Sequence, residues 1–297
     1  MQQQVDSVVA GRIPSTQPLV EPEGRIRERT NFERAPQVAR KQRVIVEMKR
    51  APQAAAKCDD SGEKENNGLA RNEKPPKRVV RPKNAAERAA RLKKILKLLD
   101  EMYPHPTIPL HHSNAWELLV ATILSAQCTD RRVNEVTPKL FKKYPTIADF
   151  ANANLEELGM DIRSTGFFRS KAKALIGAAR KILTDFGGKV PKTMEELVTI
   201  PGVGRKTANV VLGGFFGIAA GVVVDTHVQR VSRRLDLTKQ TDPVKIEQDL
   251  MKIIPKEKWI EFPLQLIYHG RALCVARKPR CAQCKLDPLC YAKDKTA

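Results

Sequence analysis

Four of the six cysteines in this 297-residue chain fall near its C-terminus, spaced Cys274-x6-Cys281-x2-Cys284-x5-Cys290. Whatever fold precedes them must seat a compact loop in which these thiols converge. The crowding is too local for a secreted disulfide framework and suits a metal site in a reducing compartment. Four convergent thiolates serve either tetrahedral zinc or a cubane iron–sulfur cluster. Zinc more often takes paired C-x2-C knuckles. Only one such pair occurs here, after a long loop, which disfavours zinc but leaves both readings open. Between the ligands lie Arg277, Lys278, Arg280 and Lys285. That loop reads either as a solvated surface or as a phosphate contact set in place by the metal site.

Ahead of the cysteines the pattern is helical. Asn84 and Glu87 form an N-x-x-E capping signal, followed by Ala89, Leu92, Ile95, Leu96 and Leu99 at helical spacing. Further helices are expected over 114–128, 131–143, 154–159, 169–186, 193–199, 205–216, 226–235, 243–253 and 257–273. Short turns bearing Pro or Gly, such as Tyr144-Pro145, Gly187-Gly188 and Pro201-Gly202, separate most of them. The strongest β-prone run, Val222-Val-Val224, is too short and isolated to build a sheet. The chain is long enough for one large domain or two ordinary ones, and the fold class is all-α.

Lys and Arg exceed Asp and Glu by 20, and the excess is not confined to a tail. Residues 1–85 carry 18 basic and 11 acidic side chains, and residues 86–297 carry 35 and 22. A folded region this basic favours a polyanionic partner, because neutralising phosphates releases counterions. No run approaches the roughly 18 apolar residues that span a bilayer. No apolar stretch near the start resembles a secretory signal. Residues 1–85 mix Gln, Pro, Arg, Lys and Glu without an apolar period, and read as a disordered basic arm that either has no role or tethers DNA or a partner. With no sustained heptad or broad apolar stripe, a monomer is expected.

Ile200-Pro-Gly-Val-Gly204 separates two helices. Its two glycines, Gly202 and Gly204, permit positive φ and close approach of the backbone to a ligand. The N–H groups of such a turn and of the helix starting at Arg205 make a phosphate site. An ordinary αα-corner would need one glycine, and a nucleotide-binding P-loop is ruled out by Arg205 before Lys206-Thr207. Lys206 stands in the first turn of that helix, where the helix dipole, Arg205 and desolvation all disfavour the ammonium form. That placement suits either a Schiff-base nucleophile or a plain phosphate contact. Val222-Val-Val-Asp225-Thr-His-Val228 then opens another helix. Asp225 reads as its N-cap, and also as a fixed carboxylate able to stabilise oxocarbenium-like charge or steer a proton.

These residues resemble the endonuclease III family across roughly residues 86–297. The resemblance rests on Leu124-Ser-Ala-Gln-Cys-Thr-Asp130, Thr165-Gly-Phe-Phe-Arg-Ser-Lys-Ala172, Ile200-Pro-Gly-Val-Gly-Arg-Lys-Thr-Ala-Asn209, Val224-Asp-Thr-His-Val228 and the cysteine spacing. It implies two helical domains with DNA in the cleft between them. A helical-barrel domain over 108–219 would carry the helix–hairpin–helix. A second domain would join residues 86–107 to 220–297 and hold a [4Fe-4S] cluster on Cys274, Cys281, Cys284 and Cys290. The implied activity is excision of oxidised pyrimidines from double-stranded DNA, then β-elimination at the abasic site. Lys206 matches the Schiff-base lysine, Asp225 the essential aspartate, and Gln127 the glutamine that fills the space of the extruded nucleotide. Phe167 stands where the family commonly has leucine at a wedge position. Gly202, Gly204, Arg205, Arg277 and Lys278 complete the expected DNA contacts. The implied compartment is the nucleoid-containing cytoplasm in a bacterium, and the nucleus or mitochondrion in a eukaryote. A monofunctional glycosylase, or a non-catalytic protein using the hairpin alone to bind DNA, are the competing readings.

Overall fold

A computed structural model describes residues 81–296. The expected N-terminal arm lies, except for residues 81–85, outside the described residues. Within them the chain folds into α-helices joined by turns and short 3-10 segments, with no strand, in agreement with the all-α expectation. No described helix is long and apolar enough to cross a membrane.

The helices are α1 (Ala85–Met102), α2 (Ala115–Leu124), α3 (Asp130–Lys143), α4 (Ile147–Ala151), α5 (Leu155–Asp161), α6 (Phe168–Phe186), α7 (Met194–Leu197), α8 (Arg205–Gly214), α9 (Thr226–Arg234), α10 (Pro243–Ile253) and α11 (Glu261–Ala272). Short polar side chains start most of them. The Asn84 side chain accepts from Glu87 N–H at 2.9 Å, and Asn114 accepts from Glu117 N–H at 2.9 Å. Such a cap satisfies one of the N–H groups that a helix start leaves without an intrahelical acceptor, at about 1 kcal/mol each.

Two hydrophobic cores organise the helices. The first is contiguous in sequence, running from Leu110 to Leu212. Its centre is α2, in which every residue except Glu117 is buried, as expected of a helix apolar on all sides. The second core draws on both ends of the described chain. Ile95 and Leu99 of α1 meet Val222, Val224, residues of α9, α10 and α11, and Leu286.

Several helix limits differ from expectation, each for a local reason. The helix expected over 114–128 stops at Leu124, because Gln127 adopts a left-handed φ of 53° that an α-helix cannot contain. The helix expected over 257–273 starts at Glu261, after a 3-10 turn over Lys256–Lys258. At 193–199 the helix is the short α7. There Thr193 Oγ1 accepts from Glu196 N–H, but the Glu196 carboxylate accepts from the Thr193 hydroxyl, so the bond it accepts comes from a side chain. The helix missing from the expectation is α4, whose start is a full capping box of Thr146 and Asp149 directly after Pro145.

Candidate active site and cysteine centre

The hairpin is seated by α6. Gly202 has φ +79°, and a Cβ built there would stand 2.8 Å from the Cβ of Ala174, so both conformation and space demand glycine. Gly204 differs: its φ is −90° and a Cβ would meet nothing within 4 Å. The protein itself does not require that glycine, which leaves bare backbone at a surface open to a ligand. No side chain caps α8 at Gly204. The first-turn N–H groups therefore remain available to an anion.

Lys206, in the first turn of α8, is exposed. The desolvation expected from sequence is thus not supplied by the protein alone, and a bound substrate would have to provide it. Arg205 does not press its charge on Lys206 unopposed either. Its guanidinium makes a two-point ion pair with buried Glu247, Nε to Oε2 at 2.7 Å and Nη2 to Oε1 at 3.1 Å. This pairing holds the Arg205 pKa above its ordinary value. Asn209 Nδ2 also donates to Glu247 Oε1, at 2.9 Å. The segment before Asp225 packs on the same group: a Cβ at Gly221 would fall 2.1 Å from Glu247 Oε1. Glu247 therefore ties α8 to α10 and to the strand-like approach to Asp225.

Asp225 caps α9 as expected. Its Oδ1 accepts from His227 N–H at 2.9 Å and Val228 N–H at 2.8 Å, so one carboxylate oxygen fixes the side chain and the other stays outside the cap. Lys206, Asp225 and Gln127 line one cavity of about 280 Å³ between the two cores, together with Asp130, Trp259 and Arg271. That is near the lower end of the roughly 300–1,000 Å³ typical of ligand sites, room for one small planar group. The Arg271 guanidinium donates to Asp130 Oδ2 at 2.6 Å, joining α11 to the start of α3 across this cavity.

Backbone strain marks the surrounding surface. Among the described residues, non-glycine positive φ occurs at His105, Gln127, Phe167, Asp236 and Lys278. Three of these are residues singled out as DNA contacts. For a bulky residue such as Phe167 the left-handed region costs on the order of 1–3 kcal/mol, an expense that clusters at functional sites. Phe167 is also 64% exposed, an aromatic ring held out at the start of α6.

The four cysteines line one small cavity with Val231, Leu235, Leu273 and Leu286. Arg230 and Arg234 of α9 fasten the loop. Arg230 Nε donates to Cys274 O at 3.1 Å, and Arg234 Nη1 donates to Val275 O at 2.8 Å and to Cys274 Sγ at 3.3 Å. His269 Nε2 lies 3.5 Å from Cys284 Sγ. Burial pushes the Cys284 thiol up to about 11, so a thiolate there needs a compensating cation. Among the described residues no three His, Cys, Asp or Glu side chains close to the spacing of a single metal ion. Arg277 and Lys278 are exposed on the loop that this anchoring presents.

Sequence reasoning missed Glu247 and Lys171. Both are buried charges within the apolar stripe of a helix, Glu247 beside Ile246 and Leu250, and Lys171 beside Ala172 and Leu175. A charge interrupting such a stripe was the available signal.

The fold, the hairpin and the cavity define a class that comparison bears out: residues 120–256 match the HhH-GPD superfamily base excision DNA repair protein family. The chain is 57% identical over 205 residues to endonuclease III of Synechocystis sp., covering 69% of this chain and 94% of that protein. It is 49% identical over 193 residues to endonuclease III of Bacillus subtilis, covering 65% and 88%. A solved trapped endonuclease III–DNA covalent intermediate superimposes with a TM-score of 0.66 at 44% identity, covering 68% of this chain and 95% of that one. The chain belongs to the endonuclease III family, and it is a base-excision repair DNA glycosylase and AP lyase.

Proposed function

We propose that this chain removes oxidised pyrimidines from double-stranded DNA and cleaves the resulting abasic site, with Lys206 as nucleophile and Asp225 as its carboxylate partner. The observation that carries this reading is that Lys206, Asp225 and Gln127, from three separate segments, line one cavity between the two cores. All three come from one chain, which supports action as a monomer.

Phosphates flanking the lesion bind the N–H groups at Gly202, Gly204 and Arg205 and the charged loop at Arg277 and Lys278. The Arg205 guanidinium, occupied by Glu247, contributes little to this grip. Phe167 wedges into the stack and Gln127 fills the space left as the damaged nucleotide is extruded. Damage lowers the unstacking cost and so contributes selectivity. In the closed complex DNA desolvates Lys206. Its neutral amine attacks C1′ as the C1′–base bond breaks, and Asp225 stabilises the developing positive charge on the sugar. Ring opening gives the Schiff base. Loss of a C2′ proton then expels the 3′ phosphate and breaks the strand, and water releases the lysine.

Cys274, Cys281, Cys284 and Cys290 would hold a [4Fe-4S] cluster, which supplies charge balance for the buried thiolates and fixes the basic loop. The trapped covalent endonuclease III–DNA structure supports the lysine chemistry by likeness.

Borohydride trapping on a duplex carrying one thymine glycol tests the reading, with wild type and Lys206→Gln compared. A covalent band with wild type alone is expected. Base release without any trapped band would replace this mechanism with a monofunctional one.

A further inference from the structure

Lys171 lies in the first turn of α6 and is 6% exposed. Its ammonium donates to two backbone carbonyls, Leu124 O at 2.8 Å and Thr165 O at 2.8 Å. Burial holds its pKa below the ordinary lysine value. A buried lysine bonded only to carbonyls is uncommon, since a methionine would fill the space without the desolvation cost. What the lysine adds is donors to two separate segments.

Those segments are the ones that matter. Leu124 ends α2, three residues before Gln127, and Thr165 ends the 3-10 turn two residues before Phe167. Gln127 and Phe167 are both left-handed, at φ 53° and 48°. Left-handed non-glycine residues persist only where the surroundings over-determine them. Here one side chain braces the backbone entering both. The Phe167 carbonyl accepts the Lys171 N–H at 3.0 Å, so the same residue also closes the turn that follows.

We propose that Lys171 is a positioning residue that couples the Gln127 and Phe167 loops, so that both side chains enter the duplex in fixed register. This rests on the proposed function, in which those two side chains occupy the opened stack.

The test compares wild type, Lys171→Met and Lys171→Arg on two substrates. A single-stranded abasic oligonucleotide reports chemistry at Lys206 without extrusion, by borohydride trapping. A duplex with thymine glycol beside 2-aminopurine reports both excision and unstacking. Lys171→Met should lose about 10- to 100-fold in single-turnover duplex excision, the scale of a roughly 1 Å misplacement. It should also lose the 2-aminopurine fluorescence rise and keep single-strand trapping within about twofold. Lys171→Arg, which retains donors, should recover part of the duplex loss. A double-mutant cycle gives a readout that a mere folding role does not move. In wild type, Gln127→Ala and Phe167→Ala should combine non-multiplicatively, and on the Lys171→Met background they should multiply independently. Equal losses on both substrates, or a cycle unchanged by Lys171→Met, would overturn the coupling. If Lys171→Met does not fold, the same cycle on Lys171→Gln, whose shorter side chain cannot bridge both carbonyls, decides it. Failure of wild type to trap any substrate would instead refute the proposed function, and 2-aminopurine unstacking on binding would still judge Lys171.

Discussion

The two cores solve the same packing problem with different materials. The first closes within one stretch, Leu110 to Leu212, around a helix buried on every side, and none of its fully buried members is a cysteine. The second assembles from residues 95–99 and 222–286 and ends against three of the four clustered cysteines, Cys274, Cys284 and Cys290. A contiguous apolar core can stand on its own burial. A core stitched from the ends of a domain around a cysteine cavity depends on whatever those cysteines hold. The proposed reaction site lies where the two cores meet, and each contributes one of the residues proposed to react: Lys206 on the exposed, uncapped start of α8, and Asp225 on the doubly bonded start of α9.

The most drastic way to break this comparison is to remove the proposed cluster. Cofactor-coupled folding reaches on the order of 10 kcal/mol. Cys284→Ser should therefore abolish hydrogen-exchange protection in α9, α10 and α11 while α2 and α6 keep most of theirs. Uniform loss across both cores would show that the first does not stand alone. Undiminished protection in both would show that the second needs nothing from its cysteines.

Next in size is Lys206→Gln. It touches neither core, so the melting temperature should stay within about 2 °C. Borohydride trapping and strand cleavage should fall by on the order of a thousandfold or more, as for loss of a covalent nucleophile. Retained cleavage would transfer the chemistry to another amine.

Glu247→Gln sharpens the boundary between the cores. The pair is half in solvent on the Arg205 side, where the side chain is 45% exposed, so full buried-pair values do not apply. A loss of about 1–2 kcal/mol in denaturant unfolding is expected. Duplex affinity should keep its salt dependence, because Arg205 is a structural partner here. A steeper salt slope in the variant would mean that Glu247 was withholding a phosphate contact, in line with the expectation from sequence.

Much of this is legible in the sequence. Helix starts carried by Asn84, Asn114 and Asp225 are local chemistry, and short-range patterns report them faithfully. The two hairpin glycines were equally readable, but not the difference between them: both were expected to use positive φ, whereas Gly202 is demanded by packing and conformation and Gly204, at φ −90°, by nothing inside the protein. What sequence could not place were partnerships across long separations. Arg205 meets Glu247 forty-two residues on, and Lys171 reaches back forty-seven residues to Leu124. Lys206 looked desolvated from its neighbours in sequence, yet is exposed, because burial at a cleft wall depends on how two cores meet. The end of α2 was misplaced for a related reason: Gln127 leaves the helix through strain that its own propensity does not announce.

The smallest expected effect concerns the ion pair that spans the two cores. Asp130 and Arg271 are 21% and 42% exposed at their side chains, Arg271 being the more exposed partner. Pairs so placed contribute roughly 0–1 kcal/mol, and the contribution fades with salt. Asp130→Asn should therefore shift the melting temperature by no more than about 4 °C. A double-mutant cycle with Arg271→Gln should give a coupling below about 1 kcal/mol that shrinks further at 1 M salt. A small coupling would mean that the cores are held in register by the cavity walls and by bound DNA, leaving them able to close on a substrate. A coupling of several kcal/mol, or one indifferent to salt, would mean that the pair locks the dependent core onto the independent one before DNA arrives. In that case cluster loss should propagate into α3, where exchange protection can be read directly.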